Sequence, residues 1–172
     1  MKKILAIIQL SLLVFFISAC NSKSETPTIP TTDRPFASRV KISYKDLSYS
    51  GLLTFRNGAN ASLELSEPEN LKGLTFTLAD NELSAKYDNI DIPLDTLDSR
   101  AKSAAGMIFK GLASAGVSSD VKVNESKNEF YVSDIIYTQK YDMTFDRKSG
   151  AIKNFIVPGE QLSVTFADFK FL

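Results

Sequence analysis

One segment of the chain has a helical pattern, and it stands between two blocks of strand pattern. From about Leu97 to Ala115, the residues Leu97, Ala101, Ala104, Ala105, Ile108, Leu112 and Ala115 fall within a stripe about 100° wide on a helix. Ser99, Lys102, Ser103, Lys110 and Ser114 occupy the other side. Asp95 or Asp98 can cap the first turn, where a carboxylate also suits the helix dipole, and Gly116 suits the stop. A helix of this kind must bury its stripe, and the strand blocks on either side supply the sheet to bury it against.

The strand blocks have period 2. Val40, Ile42 and Tyr44 alternate with Arg39, Lys41, Ser43 and Lys45. Gly51, Leu53 and Phe55 follow, and Asn57-Gly58 is a hairpin signal from which Ala61, Leu63 and Leu65 return. Ser66 to Asn70 breaks the pattern. Leu74, Phe76 and Leu78 then lead to a turn at Asp80-Asn81, Leu83, Ala85 and Tyr87 come back, and Ile90 and Ile92 make a short piece ended by Pro93. Beyond the helix come Val121 and Val123, then Phe130, Val132, Ile135 and Tyr137, with a change of phase near Asp134 that predicts a bulge or a strand end. Tyr141, Met143 and Phe145 enter a turn over Asp146 to Gly150, followed by Ile152 to Val157. In the last block Leu162, Val164 and Phe166 lie on one parity and Phe169 and Phe171 on the other, so a bulge at Ala167-Asp168 would place all five on one face. Nine or ten short strands and one main helix make the chain α+β, mainly antiparallel.

The first nineteen residues have a different purpose. Lys2 and Lys3 precede an apolar run from Ile4 to Ile17, short for a spanning helix and of the length and flanks of a secretory signal. The run closes on Ile17-Ser18-Ala19-Cys20, which resembles the lipobox of bacterial lipoproteins. That resemblance implies diacylglycerol transfer to the Cys20 sulfur, cleavage before it, and a chain held on the extracytoplasmic face of a membrane by acyl groups. Cys20 is the sole cysteine, so no internal disulfide can form. Two or three acyl chains hold far more firmly than one, and no spanning helix is needed. Residues 20–35, rich in Ser, Thr and Pro, bury too little apolar surface to order and read as a tether that reaches at most ~50 Å. Residues 36–172 are then one domain. Frequent Lys, Ile and Asn with a simple lipobox favour a Gram-positive cell; in a Gram-negative one the place would be the periplasm or the outer membrane.

Composition excludes much chemistry. The chain has 20 basic and 20 acidic residues, no His and no Trp. Without His there is no Ser-His-Asp or Cys-His machinery and no ordinary zinc site. No basic block points to nucleic acid. Ser99-Arg100-Ala101-Lys102 matches the Ser-x-x-Lys spacing of penicillin-recognising enzymes, but the same spacing recurs at Ser38/Lys41 and Ser119/Lys122, and the partner motifs are missing. Asp88, Asp91, Asp95 and Asp98 form the densest acidic group, but Pro93 stands where a calcium loop needs its Gly, and turns and caps account for all four. No catalytic residue, metal or cofactor is expected.

With a lipobox, a tether, a meander, a helix and a second meander, the chain resembles the LolA/LolB and LppX-type superfamily of envelope lipid and lipoprotein carriers. The likeness is carried by Gly51 to Tyr87 (GLLTF…ELSEPENLKGLTFTLADNELSAKY) and Tyr141 to Val157 (YDMTFDRKSGAIKNFIV). Membership implies a strongly curved, incomplete antiparallel barrel packed around its helix, with an apolar cavity. The family's early Arg-Pro is absent, since Phe55 is followed by Arg56-Asn57-Gly58, so no functional residue is carried over. The leading expectation is a non-enzymatic, membrane-anchored lipoprotein holding a lipid or acyl chain between Ala104, Ala105 and Ile108 on the helix and Phe55, Phe76, Phe145 and Phe166 on the sheet. The alternative is a structural or interaction lipoprotein with a filled core that binds another envelope protein.

Cys20→Ala should give an unprocessed or released chain. Normal processing, with the variant still in the membrane fraction after a high-salt wash, would exclude anchoring through Cys20.

Overall fold

Every strand the alternation predicts is present, and all belong to one antiparallel sheet. The computed structural model describes residues 34–115 and 121–172; the leader, the tether through Asp33, Cys20 and the expected helix stop Gly116 lie outside the described residues. The strands are β1 (Phe36–Tyr44), β2 (Leu47–Asn57), β3 (Asn60–Glu67), β4 (Leu74–Ala79), β5 (Glu82–Tyr87), β6 (Ile90–Asp91), β7 (Val121–Asn124), β8 (Glu129–Ile136), β9 (Gln139–Asp146), β10 (Ile152–Val157) and β11 (Leu162–Phe171). The helix α1 (Ser99–Ala115) separates β6 from β7. Their order across the sheet is β6-β5-β4-β3-β2-β1-β11-β10-β9-β8-β7. Two meanders therefore meet at β1 and β11, and the free edges are β6 and β7.

The sheet is strongly curled. Helix α1 touches both β8 and β4, which stand seven strands apart. On a flat sheet that separation would be about 34 Å, three times a helix diameter, so the sheet has to wrap for one helix to reach both. The helix records the same wrapping. Its stripe is buried as expected, and Met107, Phe109 and Gly111 are buried too. Together these positions cover an arc of about 200°, twice the width that the periodicity suggests. A flat layer covers one stripe; a concave one also covers its flanks.

Close approach is visible at Gly111. A Cβ there would lie 2.5 Å from Phe155 Cζ and 3.0 Å from Ile136 Cδ1, so the absence of a side chain lets the helix settle onto β10 and β8. The N-terminal end is tied down by charge. Asp98 is the N-cap, accepting from the Arg100 backbone N–H at 2.8 Å, and Arg100 Nη1 reaches Asp46 in the β1–β2 turn at 3.3 Å.

Local details agree with the sequence in some places and correct it in others. The bulge in β11 is present: Asp168 has φ 52° and the β1–β11 register slips between Ala37 and Arg39. Phe169 then stacks 4.6 Å from Phe36, and the buried Ser38 hydroxyl donates to the Ala167 carbonyl at 2.8 Å. Asp80-Asn81 is a hairpin turn with both residues at positive φ, as is Asp88-Asn89. The Asn57-Gly58 hairpin forms with a different turn. Its loop is Gly58-Ala59, and Asn57 Oδ1 accepts from Ala59 N–H at 2.9 Å, so the asparagine works as an Asx acceptor. The phase change near Asp134 does not occur. β8 pairs with β9 without a slip from Glu129 to Ile136, so Ile136 faces inward and Ile135 and Tyr137 are exposed. Apolar side chains in the outward register had mimicked a shift. Among the described residues the strands number eleven, because the two-residue β6 and the four-residue β7 both pair.

Three helix substitutions should separate these contacts in urea melts. Leu112→Ala, at a fully buried position, should cost ~2–5 kcal/mol. Gly111→Ala should cost about 1–3 kcal/mol by overpacking against Phe155. Gly106→Ala, whose Cβ would meet nothing within 4 Å, should gain about 0.5–1 kcal/mol from helix propensity.

Candidate functional site

The concave face of the sheet and the wrapped side of α1 form the candidate site. Ala104, Ala105 and Ile108 are 0–2% exposed, and Phe55, Phe76 and Phe145 are 0–1% exposed. Phe166 is the least buried of the seven, at 9%. All belong to one continuous apolar cluster. The sheet register explains how each arrives there. Phe55 pairs with Phe36 and stacks on it at 5.4 Å, Phe76 lies between Leu63 and Ala85, Phe145 pairs with Phe130, and Phe166 pairs with Val40. Periodicity did not point to Met107, Phe109 or Gly111 on the helix, nor to the Tyr141–Phe155 ring contact at 5.6 Å. Their signal was present as apolar or small residues beside the main stripe.

The apolar face continues to both free edges. At one edge Leu74, Tyr87 and Ile90 are in register on the inward parity, and exposure rises from buried Leu74 to 49% at Tyr87 and 66% at Ile90. At the other, Phe130 pairs with Val123, which is 41% exposed. The cluster thus ends at both lips in uncovered apolar side chains.

Charge lies elsewhere. The Arg100 guanidinium, with its backbone N–H, holds the Asp98 carboxyl below the usual carboxylate value and is itself raised in return. On the outer face, Tyr131 and Lys153 donate to Glu129 at 2.6 and 3.1 Å and lower its carboxyl, while Ser149 does the same for Asp146 in the β9–β10 turn. Burial pushes the Tyr49 and Tyr141 hydroxyls up; the neighbouring Ser114 partly offsets this for Tyr141. Ser99 and Lys102 do not pair: Ser99 is exposed and Lys102 Nζ donates to the Leu94 carbonyl at 3.2 Å. Of the four aspartates, Asp88 sits in a turn, Asp91 pairs with Lys86 at 3.4 Å and Asp98 caps the helix. Among the described residues, no three of His, Cys, Asp and Glu come together as a metal-ligand set.

A groove of about 740 Å³ opens on the outer face, lined by Arg39, Lys41, Ser50, Leu52, Glu64 and Thr165 among others. None of the seven expected contact residues lines it. Among the described residues, no helix is long and apolar enough to cross a membrane.

No family model matches the chain, and no curated protein does. Solved structures similar to it include an uncharacterized conserved protein from Thermus thermophilus, 8% identical with a TM-score of 0.48, the match covering 81% of this chain and 80% of that one. A LolA superfamily protein from Nitrosomonas europaea is 11% identical with a TM-score of 0.40, over 83% and 90% of the two chains. A chain from the complex of the CwlD amidase with the GerS lipoprotein of Clostridioides difficile is 14% identical with a TM-score of 0.43, over 82% and 89%. The architecture stands on this chain's own strand order and register: one open, curled antiparallel sheet around one helix.

The Asp98 cap can be tested apart from its charge. Asp98→Ala should cost about 1 kcal/mol, whereas Asp98→Asn keeps a capping oxygen and should cost less. Because the folded state lowers the Asp98 pKa, its ionised form adds stability above the ordinary carboxylate value of about 4, and that contribution is lost as pH falls through the folded pKa. Thermal melts from neutral to acid pH should therefore fall less steeply for Asp98→Asn than for the wild type.

Proposed function

We propose that this chain is a non-enzymatic envelope lipoprotein, anchored through Cys20, whose curled sheet holds a lipid or acyl chain against the Ala104/Ala105 side of α1. The observation that carries this reading is the apolar concave face that runs on past the helix to exposed Tyr87, Ile90 and Val123. Uncovered apolar side chains contiguous with a core mark a place where an apolar ligand or partner adds cover. The surrounding cluster is built from aliphatic and aromatic residues, which suits hydrocarbon and offers nothing to a reacting group. A carrier or holder of lipid is thus the role this interior fits, and the resemblance seen in the sequence points the same way.

A second reading, a filled core with the activity in a protein contact, is favoured by one observation. At Gly111 the helix already lies in close contact with Phe155 and Ile136. Ligand would then have no room at that end of the helix.

Native mass spectrometry decides between them. The mature chain with Cys20→Ser, purified without acyl groups, should carry co-purifying lipid, and Ala105→Trp should displace it while the melt stays cooperative. A lipid-free wild type that also takes up no added fatty acid or phospholipid, with an Ala105→Trp variant that unfolds, would establish the filled core.

A further inference from the structure

The two ends of the domain meet in the middle of the sheet, and cations gather there. β1 lies between β2 and β11, with Phe36 in register with both Phe55 and Phe171 and Ala37 with both Thr54 and Lys170. Arg34 just before β1, Arg56 at the end of β2 and Lys170 at the end of β11 therefore lie at the same end of three adjacent strands. The Arg34 guanidinium is held 4.0 Å over the Phe171 ring, and Leu172, whose N–H donates to the Pro35 carbonyl at 2.9 Å, is 69% exposed beside it. Arg39, one step further along β1, is paired with Asp168 at 3.4 Å. Asp80 and Glu82 at the β4–β5 turn, and Lys127, Asp146, Arg147 and Lys148 at the β7–β8 and β9–β10 turns, belong to the same end but lie further round the sheet. At the opposite end of the strands, the turns carry Asp46, Glu69, Asp88 and Glu160 against Lys45 and Lys72, and the helix cap is Asp98; Lys72 pairs with Glu69 and Arg100 with Asp46 and Asp98, and carboxylates remain in excess.

We propose that the Arg34/Arg56/Lys170 end of the sheet docks on the anionic headgroups of the membrane that holds the Cys20 lipid. The inference rests on the anchoring reading and extends it from attachment to orientation. Thirteen residues separate Cys20 from Arg34, a length that spans at most about 45 Å, and they enter the domain at this cationic end. Each Lys or Arg close to an anionic surface favours the docked state by about fivefold. Three would be too few to hold a free protein, but attachment through the lipid makes the contact intramolecular and so populates it. The carboxylates of the opposite end add to the preference, since they are repelled by the same surface. Docked this way, the domain presents its Asp46/Glu160 end and the start of α1 away from the membrane.

The test uses the whole lipidated chain in vesicles of phosphatidylglycerol with phosphatidylcholine, or of phosphatidylcholine alone. An environment-sensitive dye on Leu172→Cys labels a single free thiol, because Cys20 is acylated, and a headgroup-labelled quencher lipid reports its contact with the surface. Quenching should be strong with phosphatidylglycerol, weak without it, and weakened by salt. Arg34→Gln, Arg56→Gln and Lys170→Gln should each lower the ratio of docked to undocked protein about fivefold, and together about a hundredfold. Lys45→Gln, Lys72→Gln and Lys140→Gln combined, all at the opposite end of the strands, should leave it unchanged. Equal quenching in both lipids, or equal losses in the two triple variants, would overturn the docking. Vesicle flotation reads the anchor separately: a chain that floats without lipid-dependent quenching refutes only the docking, whereas one that does not float refutes the anchor and the docking with it.

Discussion

The structure depends on burying one helix inside the curl of one sheet. Neither part is stable alone. An antiparallel sheet with a continuous apolar face needs a second layer, and a helix of seventeen residues with an alanine-rich stripe has little to hold it without one. Wrapping lets a single helix serve as that layer for strands on both sides of the sheet, from β4 to β8. The cost is a narrow space, and the small residues meet it: Ala104, Ala105 and Gly111 face the sheet where bulkier side chains would hold the helix off.

The same constraint sorts the polar groups. A carboxylate or ammonium on the concave face would be desolvated on nearly every side, at a cost of several kcal/mol per ion even after relaxation. Among the described residues the charged side chains instead occupy turns, the outer face and the solvent side of the helix. There they cap backbone groups, as Asp98 and Asp146 do, or make solvent-screened pairs such as Arg39–Asp168. The buried Ser38 hydroxyl is satisfied by the carbonyl that the β11 bulge turns toward it, whereas the buried Tyr49 hydroxyl has no hydrogen-bond partner among the described residues.

The free edges are the part of the architecture that remains open to partners. β6 is two residues long and is followed closely by Pro93, and β7 has four residues, so each edge offers little backbone for an intruding strand. What the edges do expose is apolar side chain, in Tyr87, Ile90 and Val123.

Much of this was legible in the sequence because it is local. The period-2 alternation from Val40 to Tyr44 or from Tyr141 to Phe145 is set by the pleat of a strand, and the stripe from Ala101 to Ala115 by the turn of a helix. The β11 bulge could be read from the parity of Phe166 against Phe169, because one extra residue is the simplest way to put both rings on one face. Element type, the β11 bulge and the burial of all seven expected contact residues follow from such short-range rules. Tertiary structure decided what depends on residues far apart in the chain. Met107 and Phe109 lie outside a one-sided stripe and are buried only because the sheet reaches round the helix. Ile135 and Tyr137 look like core residues by composition, yet the β8–β9 register puts them in solvent, since pairing with β9 fixes the parity of the whole strand. The cationic end exists only because β1 pairs with both β2 and β11, which brings Arg34, Arg56 and Lys170 together from the two ends of the domain. No local pattern encodes that pairing; it follows from the way the two meanders close around a shared helix.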